Sequence, residues 1–75
     1  MLTKKLKELR LTIVDISEYL GYSRQMMYTY IGLYESNKHY KLKPEILEVF
    51  NRIMRYNTKK EVIKYIFKYY KKEEN

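Results

Sequence analysis

Side chains able to bind a ligand by hydrogen bonding are grouped in one short stretch of this chain. They occur at the spacing of a single exposed helix face and are Ser23, Arg24, Gln25, Tyr28 and Thr29. An arginine guanidinium can form two hydrogen bonds with guanine, and a glutamine amide can form two with adenine. A threonine can contact a thymine methyl group or a phosphate. We predict that Arg24, Gln25, Tyr28 and Thr29 contact bases and that Ser23 contacts a phosphate, a role for which Tyr28 is also placed.

Two groups of lysines flank this stretch in the sequence. They are Lys4, Lys5 and Lys7 before it, and Lys38, Lys41 and Lys43 after it. Lysine ammonium groups on both sides of a helix that contacts bases can neutralise DNA phosphates. This neutralisation releases counterions, so the binding of DNA weakens steeply as the salt concentration rises. We predict that these lysines contact phosphates. For any single lysine, a solvated surface position is an equally good interpretation.

Residue types that carry out catalysis or bind metals are sparse. The chain has no cysteine and one histidine, His39, in a lysine-rich segment without a candidate partner. The acidic residues fall at predicted helix starts or on polar faces, where the helix dipole and solubility explain them. No phosphate-binding loop, metal-ligand spacing or nucleophile arrangement is present. We predict a protein that is not an enzyme and that uses no cofactor or metal.

The composition bounds the class of protein. The 75 residues carry a formal net charge of +7, with a pI near 9.6, which favours a polyanionic partner. With 45% hydrophobic residues the chain should fold as one domain, residues 1–75. An A/T-rich genome is the alternative source of part of the lysine and of most of the ten tyrosines. Among these, Tyr34 and Tyr40 are candidates for stacking on bases.

The sequence also bears on location. The lack of cysteine fits the reducing cytosol, and no apolar run, signal-peptide core or lipidation motif is present. We therefore expect a cytoplasmic protein that does not span a membrane.

Apolar residues at helical spacing predict five short helices, separated at two glycines and one proline. The predicted ranges are 2–10, 13–20, 23 to about 32 or 34, 44–57 and 58–70, with a polar loop at 35–43 and a charged tail at 71–75. We see no strand pattern, repeat or linker. The predicted fold is all-α, a compact bundle of about five short helices whose C-terminal helices span residues 44–71.

Several helix boundaries carry their own signals. Thr12 with Asp15, and Thr58 with Glu61, have the spacing of capping boxes. Gly21 is the residue type that best ends a helix in a left-handed conformation. These signals fix the starts of the second and fifth helices and the end of the second.

The helices on either side of Gly21 have the layout of a helix-turn-helix, residues 12–32. Ser17 supplies a small residue where the helices cross, and Gly21 supplies the positive φ of the turn. The side chains that hold the second helix onto the first are Ile16, Leu20, Tyr22, Met27 and Tyr30. In such a unit the second helix enters the DNA major groove. The alternative is an ordinary helical hairpin in which Gly21 is only a C-cap.

Two strings within this region resemble known repressor motifs. From Asp15 to Ile31, D-I-S-x-x-L-G-Y-S-x-x-x-M-Y-x-Y-I resembles the DNA-binding motif of TetR-type repressors. From Leu11 to Ser23, L-T-x-x-x-I-S-x-x-L-G-x-S is similar to the Cro/repressor-type motif of phage and plasmid regulators. Tyr22 and Ile31 depart from the TetR pattern, which has a smaller aliphatic residue and an aromatic there. The large ligand-binding domain of TetR-type proteins is lacking, so we expect no small-molecule inducer.

The predicted fifth helix has an apolar side and a lysine side, and three arrangements explain this pattern. The apolar side carries Val62, Ile63, Ile66, Phe67 and Tyr70, and the lysine side carries Lys59, Lys60, Lys64, Lys68 and Lys71. It can close the core, expose part of its apolar side to dimerise, or lie on an anionic membrane. We predict core closure with dimerisation, because a chain of this size needs the helix for its core. A helix-turn-helix usually binds paired half-sites as a dimer.

Together these features predict a protein that binds double-stranded DNA sequence-specifically. The simplest role is a small homodimeric transcriptional repressor of a bacterium, phage or plasmid. One alternative is an accessory factor of a mobile element that marks a replication, transfer or recombination site. Another is a protein-interaction adaptor such as an antirepressor.

Overall fold

Five short α-helices dominate the fold. The computed structural model describes residues 1–70 and has no strand in that range. The helices are α1 (Leu2–Glu8), α2 (Ile13–Leu20), α3 (Arg24–Glu35), α4 (Pro44–Arg55) and α5 (Lys59–Tyr65). A 3₁₀ turn, His39–Lys41, lies between α3 and α4, and a π-helical turn, Ile66–Tyr70, extends α5. The predicted all-α bundle of five helices is confirmed. The predicted tail 71–75, which includes the last residue of the range 44–71, lies outside the described residues.

Side-chain caps explain where α2 and α5 begin. The Thr12 hydroxyl accepts a hydrogen bond from the backbone N–H of Asp15 at 3.0 Å, and the Asp15 carboxylate accepts one from the backbone N–H of Thr12 at 3.1 Å. Thr58 and Glu61 repeat this arrangement at the start of α5. Both predicted capping boxes are confirmed. Each one satisfies N–H groups that have no partner inside the helix.

The first three helices end with the same backbone bond. A residue with positive φ follows each of them: Arg10 (61°), Gly21 (79°) and Asn37 (60°). The next N–H then reaches back five residues, from Leu11 to Leu6, from Tyr22 to Ser17 and from Lys38 to Leu33. This closure satisfies carbonyl groups at the helix end. With this closure, α1 ends at Glu8, two residues before the predicted end at residue 10. α3 continues to Glu35, just beyond its predicted end at about residue 32 or 34.

One hydrophobic core joins all five helices. α1 packs against α4 and α3, and α2 packs against α3 and the π-helical turn. The predicted apolar faces of α1 and α4 lie in this core. Their buried residues are Leu2, Leu6, Leu9, Ile46, Val49, Phe50 and Ile53. Leu47 and Met54 are partly buried against it.

The fifth helix closes the core, as predicted, although its buried side is shifted. The buried residues of this helix and its extension are Val62, Tyr65 and Ile66. They are three and four residues apart and therefore share one helix face. Phe67, which was predicted on the apolar side, lies at its margin and is 52% exposed. The edge of its ring contacts Tyr19, with centroids 5.9 Å apart.

Two polar contacts between helices hold α3 in place. The Glu35 carboxylate accepts hydrogen bonds from the Thr3 backbone N–H at 2.6 Å and from the Thr3 hydroxyl at 2.8 Å, and so caps α1. The Tyr34 hydroxyl donates to Asn51 Oδ1 at 2.7 Å on α4. Burial raises the pKa of Tyr34. These contacts link α1 and α4 to the C-terminal part of α3.

Acidification is expected to destabilise this fold. Hydrogen bonds from backbone N–H groups lower the pKa of Asp15, Glu35 and Glu61 below their ordinary values. A carboxylate whose pKa is lower in the folded state stabilises the protein above its unfolded pKa, and this stabilisation is lost as the pH falls through the folded pKa. Thermal melts should therefore give a constant melting temperature near neutral pH and a decrease below about pH 5.

The variant Glu35→Gln tests the carboxylate that links α3 to α1. It is expected to melt at a lower temperature than the parent at pH 7 and to show a smaller further decrease on acidification. Glu8→Gln, a change at an exposed glutamate of α1, serves as the matched control. An acid dependence in Glu35→Gln as steep as that of the parent would contradict the assignment.

Candidate nucleic-acid interface

A tight turn sets α3 against α2. The N–H groups of Gly21 and Tyr22 both donate to the Ser17 carbonyl at 2.9 Å. The Ser23 hydroxyl then accepts from the Met26 N–H at 3.1 Å and caps α3. A left-handed φ is costly for most side chains, which explains glycine at the turn. The glycine turn and serine cap predicted from the sequence are both present.

The contact between α2 and α3 is built from a small residue and apolar side chains. Ser17 is only 2% exposed, and its hydroxyl donates to the Val14 carbonyl at 2.9 Å, so its polar group is satisfied inside α2. Ile16, Leu20 and Met27 are buried around it. The half-buried rings of Tyr22 and Tyr30 meet edge to face, with centroids 5.3 Å apart. This packing fixes which side of α3 faces outward.

The two glycines of the chain are expected to respond in opposite directions to the same substitution. An added Cβ meets no atom within 4 Å at either position, so the effect of the substitution on stability depends on the backbone conformation alone. Gly21→Ala should lose about 1 kcal/mol of unfolding free energy, because of its positive φ. Gly32 lies inside α3, so Gly32→Ala should raise the free energy of unfolding by about 0.5–1 kcal/mol. Urea unfolding of both variants measures the difference, and two changes of the same sign would contradict this explanation.

The outward side of α3 carries the predicted base-contacting residues. Arg24, Gln25, Tyr28 and Thr29 are all exposed, Tyr28 to 61%. Residues four apart share a helix face, so these side chains form one stripe, which Gly32 continues without a side chain. The Thr29 hydroxyl donates to the Gln25 carbonyl at 3.2 Å, which leaves its methyl group and oxygen lone pairs for a ligand. The structure therefore brings these four residues together on one surface.

Lys43 lies beside the start of α3, although it is distant in sequence. Its Nζ donates to the Tyr22 hydroxyl at 3.4 Å and lies 5.4 Å from the centroid of that ring. The hydrogen bond to Tyr22, with the nearby Tyr30 and Glu45, raises the pKa of Lys43. Burial and a hydrogen bond with Tyr22 raise the pKa of Tyr70, which belongs to the π-helical turn. The sequence did not predict this cluster of Tyr22, Lys43 and Tyr70, because its members come from separate elements of the fold.

The other predicted phosphate-contacting lysines are dispersed. Lys38 lies in the turn after α3, where its backbone N–H donates to the Leu33 carbonyl, and Lys41 lies in the 3₁₀ turn; both lysines are exposed. Lys4 and Lys7 are exposed on α1. Lys5 is partly buried and lies close enough to Glu61 to help lower the pKa of that carboxylate. Of the six lysines, Lys43 and Lys38 are the ones whose positions at the two ends of α3 are fixed by backbone or side-chain contacts.

The single histidine has a packing role in this structure. Its ring stacks on Tyr34 with centroids 4.5 Å apart, and His39 Nε2 lies 3.2 Å from the Tyr34 carbonyl oxygen. Among residues 1–70, no cluster of three or more histidine, aspartate or glutamate side chains is arranged to hold a metal ion. No helix in this range has the length and apolar character needed to cross a membrane.

Comparisons of the chain with models of protein families, with curated proteins and with solved structures found no match. The class that the structure defines is an all-α protein with an exposed polar stripe on α3. That stripe and the charges around it are the features of the described residues that bear on a ligand.

Proposed function

We propose that this chain binds double-stranded DNA sequence-specifically by placing α3 in the major groove. The observation that carries the proposal is the exposed stripe of Arg24, Gln25 and Thr29, on a helix whose other side is buried. These side chains have the hydrogen-bonding groups and the methyl group that distinguish guanine, adenine and thymine in that groove. Tyr28, on the same stripe, can contact either a base or the adjoining phosphate.

The surroundings of α3 support binding to a polyanion. The N-terminus of a helix presents unpaired N–H groups and a positive dipole, both of which favour a phosphate. Lys43 adds a full positive charge at that end, and Lys38 adds another at the opposite end. The net charge of +7 gives the whole chain the same preference.

The biological role that fits these features is that of a small transcriptional regulator in the bacterial cytoplasm, without enzymatic activity. Two copies would address half-sites about 10 base pairs apart, one helical turn of DNA. A role in marking a site for the machinery of a mobile element uses the same DNA contacts. The position of the bound sites relative to promoters or origins separates the two.

A salt series with random duplex DNA is the first test. Fluorescence anisotropy should show binding at low salt that weakens steeply as salt rises, with a slope of log K against log salt of about −0.9 per phosphate contact. Selection of bound sites from random DNA should then return a two-fold symmetric sequence. Absence of duplex binding even at low salt would contradict the proposal and favour a protein-interaction adaptor.

A further inference from the structure

An aromatic cleft lies between the end of α4 and the outer side of α5 with its π-helical turn. Its volume is about 280 Å³, and it is lined by Tyr56, Tyr65 and Tyr69 together with Glu61, Lys64 and Lys68. None of these residues comes from α2 or α3. The cleft is therefore separate from the proposed DNA-reading surface.

The three tyrosine rings form one continuous aromatic surface. Tyr65 lies between the other two, with its centroid 6.1 Å from that of Tyr56 and 5.4 Å from that of Tyr69. Tyr65 is buried, whereas Tyr69 is 56% exposed. A flat ligand entering the cleft can thus stack on the exposed ring of Tyr69, beside Tyr65, which is anchored in the core.

Positive charges surround these rings. The Arg52 guanidinium lies 5.1 Å from the centroid of Tyr65, and Lys68 Nζ lies 5.3 Å from that of Tyr69. Lys64 lines the cleft beside them.

The two carboxylates nearby are already engaged. Glu48 accepts from Arg52 at 3.0 Å, and Glu61 accepts from the backbone N–H groups of Asn57 and Thr58. Among the described residues, the lining of the cleft has two lysines, Lys64 and Lys68, against one carboxylate, Glu61, and so combines stacking surfaces with a net positive charge.

We propose that this cleft binds single-stranded nucleic acid, stacking unpaired bases on the tyrosines and holding phosphates with Lys64 and Lys68. Aromatic rings in a basic groove suit a single strand, because every base has a stackable face that is unavailable inside a duplex. A second copy of this chain is a poor occupant, since it would bring the same positive charges face to face. The proposal is independent of duplex binding by α3.

The test measures binding of a short fluorescein-labelled oligothymidine to the full chain at low salt. Tyr69→Ala should weaken binding about tenfold, and Tyr69→Trp should restore it, because stacking needs a ring and not the hydroxyl group. Tyr69 is exposed enough for both variants to keep the fold, which thermal melts verify. Phe67→Ala removes a half-exposed ring from the same π-helical turn but outside the lining of the cleft, so it is the matched control and should leave binding unchanged.

A second arm tests the phosphate contacts. Lys64→Gln and Lys68→Gln should each make the salt dependence shallower, whereas Lys60→Gln on the same helix should not. Arg24→Ala should leave oligothymidine binding intact, so failure of the duplex proposal is distinguishable from failure of this one. The proposal is overturned if oligothymidine does not bind at low salt or if Tyr69→Ala binds it like the parent. It is also overturned if Tyr69→Ala only dissociates a dimer in sedimentation experiments.

Discussion

Replacing Phe50 with alanine is expected to lower the free energy of unfolding by about 3–5 kcal/mol, the range for deleting a buried phenylalanine ring. Phe50 is fully buried on α4, and its ring meets that of Tyr34 edge to face at 5.4 Å. Small domains have unfolding free energies of only about 5–15 kcal/mol, and this chain is near the lower size limit for a stable core. The loss is thus a large part of the total. Urea unfolding followed by far-UV circular dichroism measures it.

The chain supplies its own matched control, because its only other phenylalanine is half-exposed. Phe67→Ala removes the same ring from the margin of the core, where it contacts Tyr19. Its expected loss is about 1 kcal/mol, that of an aromatic pair with partial burial. Equal losses for the two variants would mean that Phe50 does not occupy the centre of the core.

Arg24→Ala and Gln25→Ala are each expected to weaken binding to the selected DNA site by about 1–3 kcal/mol, or roughly fivefold to 150-fold. Binding to random duplex should change much less, because nonspecific affinity comes from phosphate contacts. The two side chains are exposed and adjacent on α3, so the fold should tolerate their loss. Anisotropy with the selected and a scrambled duplex at one salt concentration gives both numbers.

Two further variants separate the roles of the charges. Lys43→Ala should weaken binding to all sequences alike and make the salt slope shallower by about one. Arg55→Ala removes an exposed arginine at the end of α4, away from the α3 stripe, and should leave selectivity unchanged. If Arg24→Ala and Lys43→Ala weakened every sequence equally, Arg24 would be a phosphate contact and not a base contact.

Features that depend on neighbouring residues could be predicted from the sequence. The capping boxes at Thr12 and Thr58 involve partners three residues away, and the turn at Gly21 depends on the φ of one residue. The apolar faces of α1 and α4 follow from helical spacing alone, because one face of each short helix must be buried. The same reasoning identified the exposed residues of α3, since they are those left after the buried positions are assigned.

Contacts between distant elements could not be predicted in this way. Glu35 was assigned to a polar loop, yet its carboxylate caps α1 through Thr3, 32 residues earlier. The Lys43 contact with Tyr22 spans 21 residues. Such partners depend on the angles and offsets at which helices pack, and many arrangements of the same amphipathic helices satisfy the same periodicity.

The sequence by itself thus determined the five helices, two of their capping boxes, the buried faces of α1 and α4, and the identity of the exposed polar residues on α3. These are set by hydrogen bonds and side-chain spacing within one or two turns of helix. The tertiary structure decided that Lys43 lies at the start of α3, that Lys5 lies near Glu61, and that three tyrosines, Tyr56, Tyr65 and Tyr69, share one cleft. Only the packing of complete helices brings such side chains within a few ångströms of one another, because their separation in sequence carries no information about their distance in space.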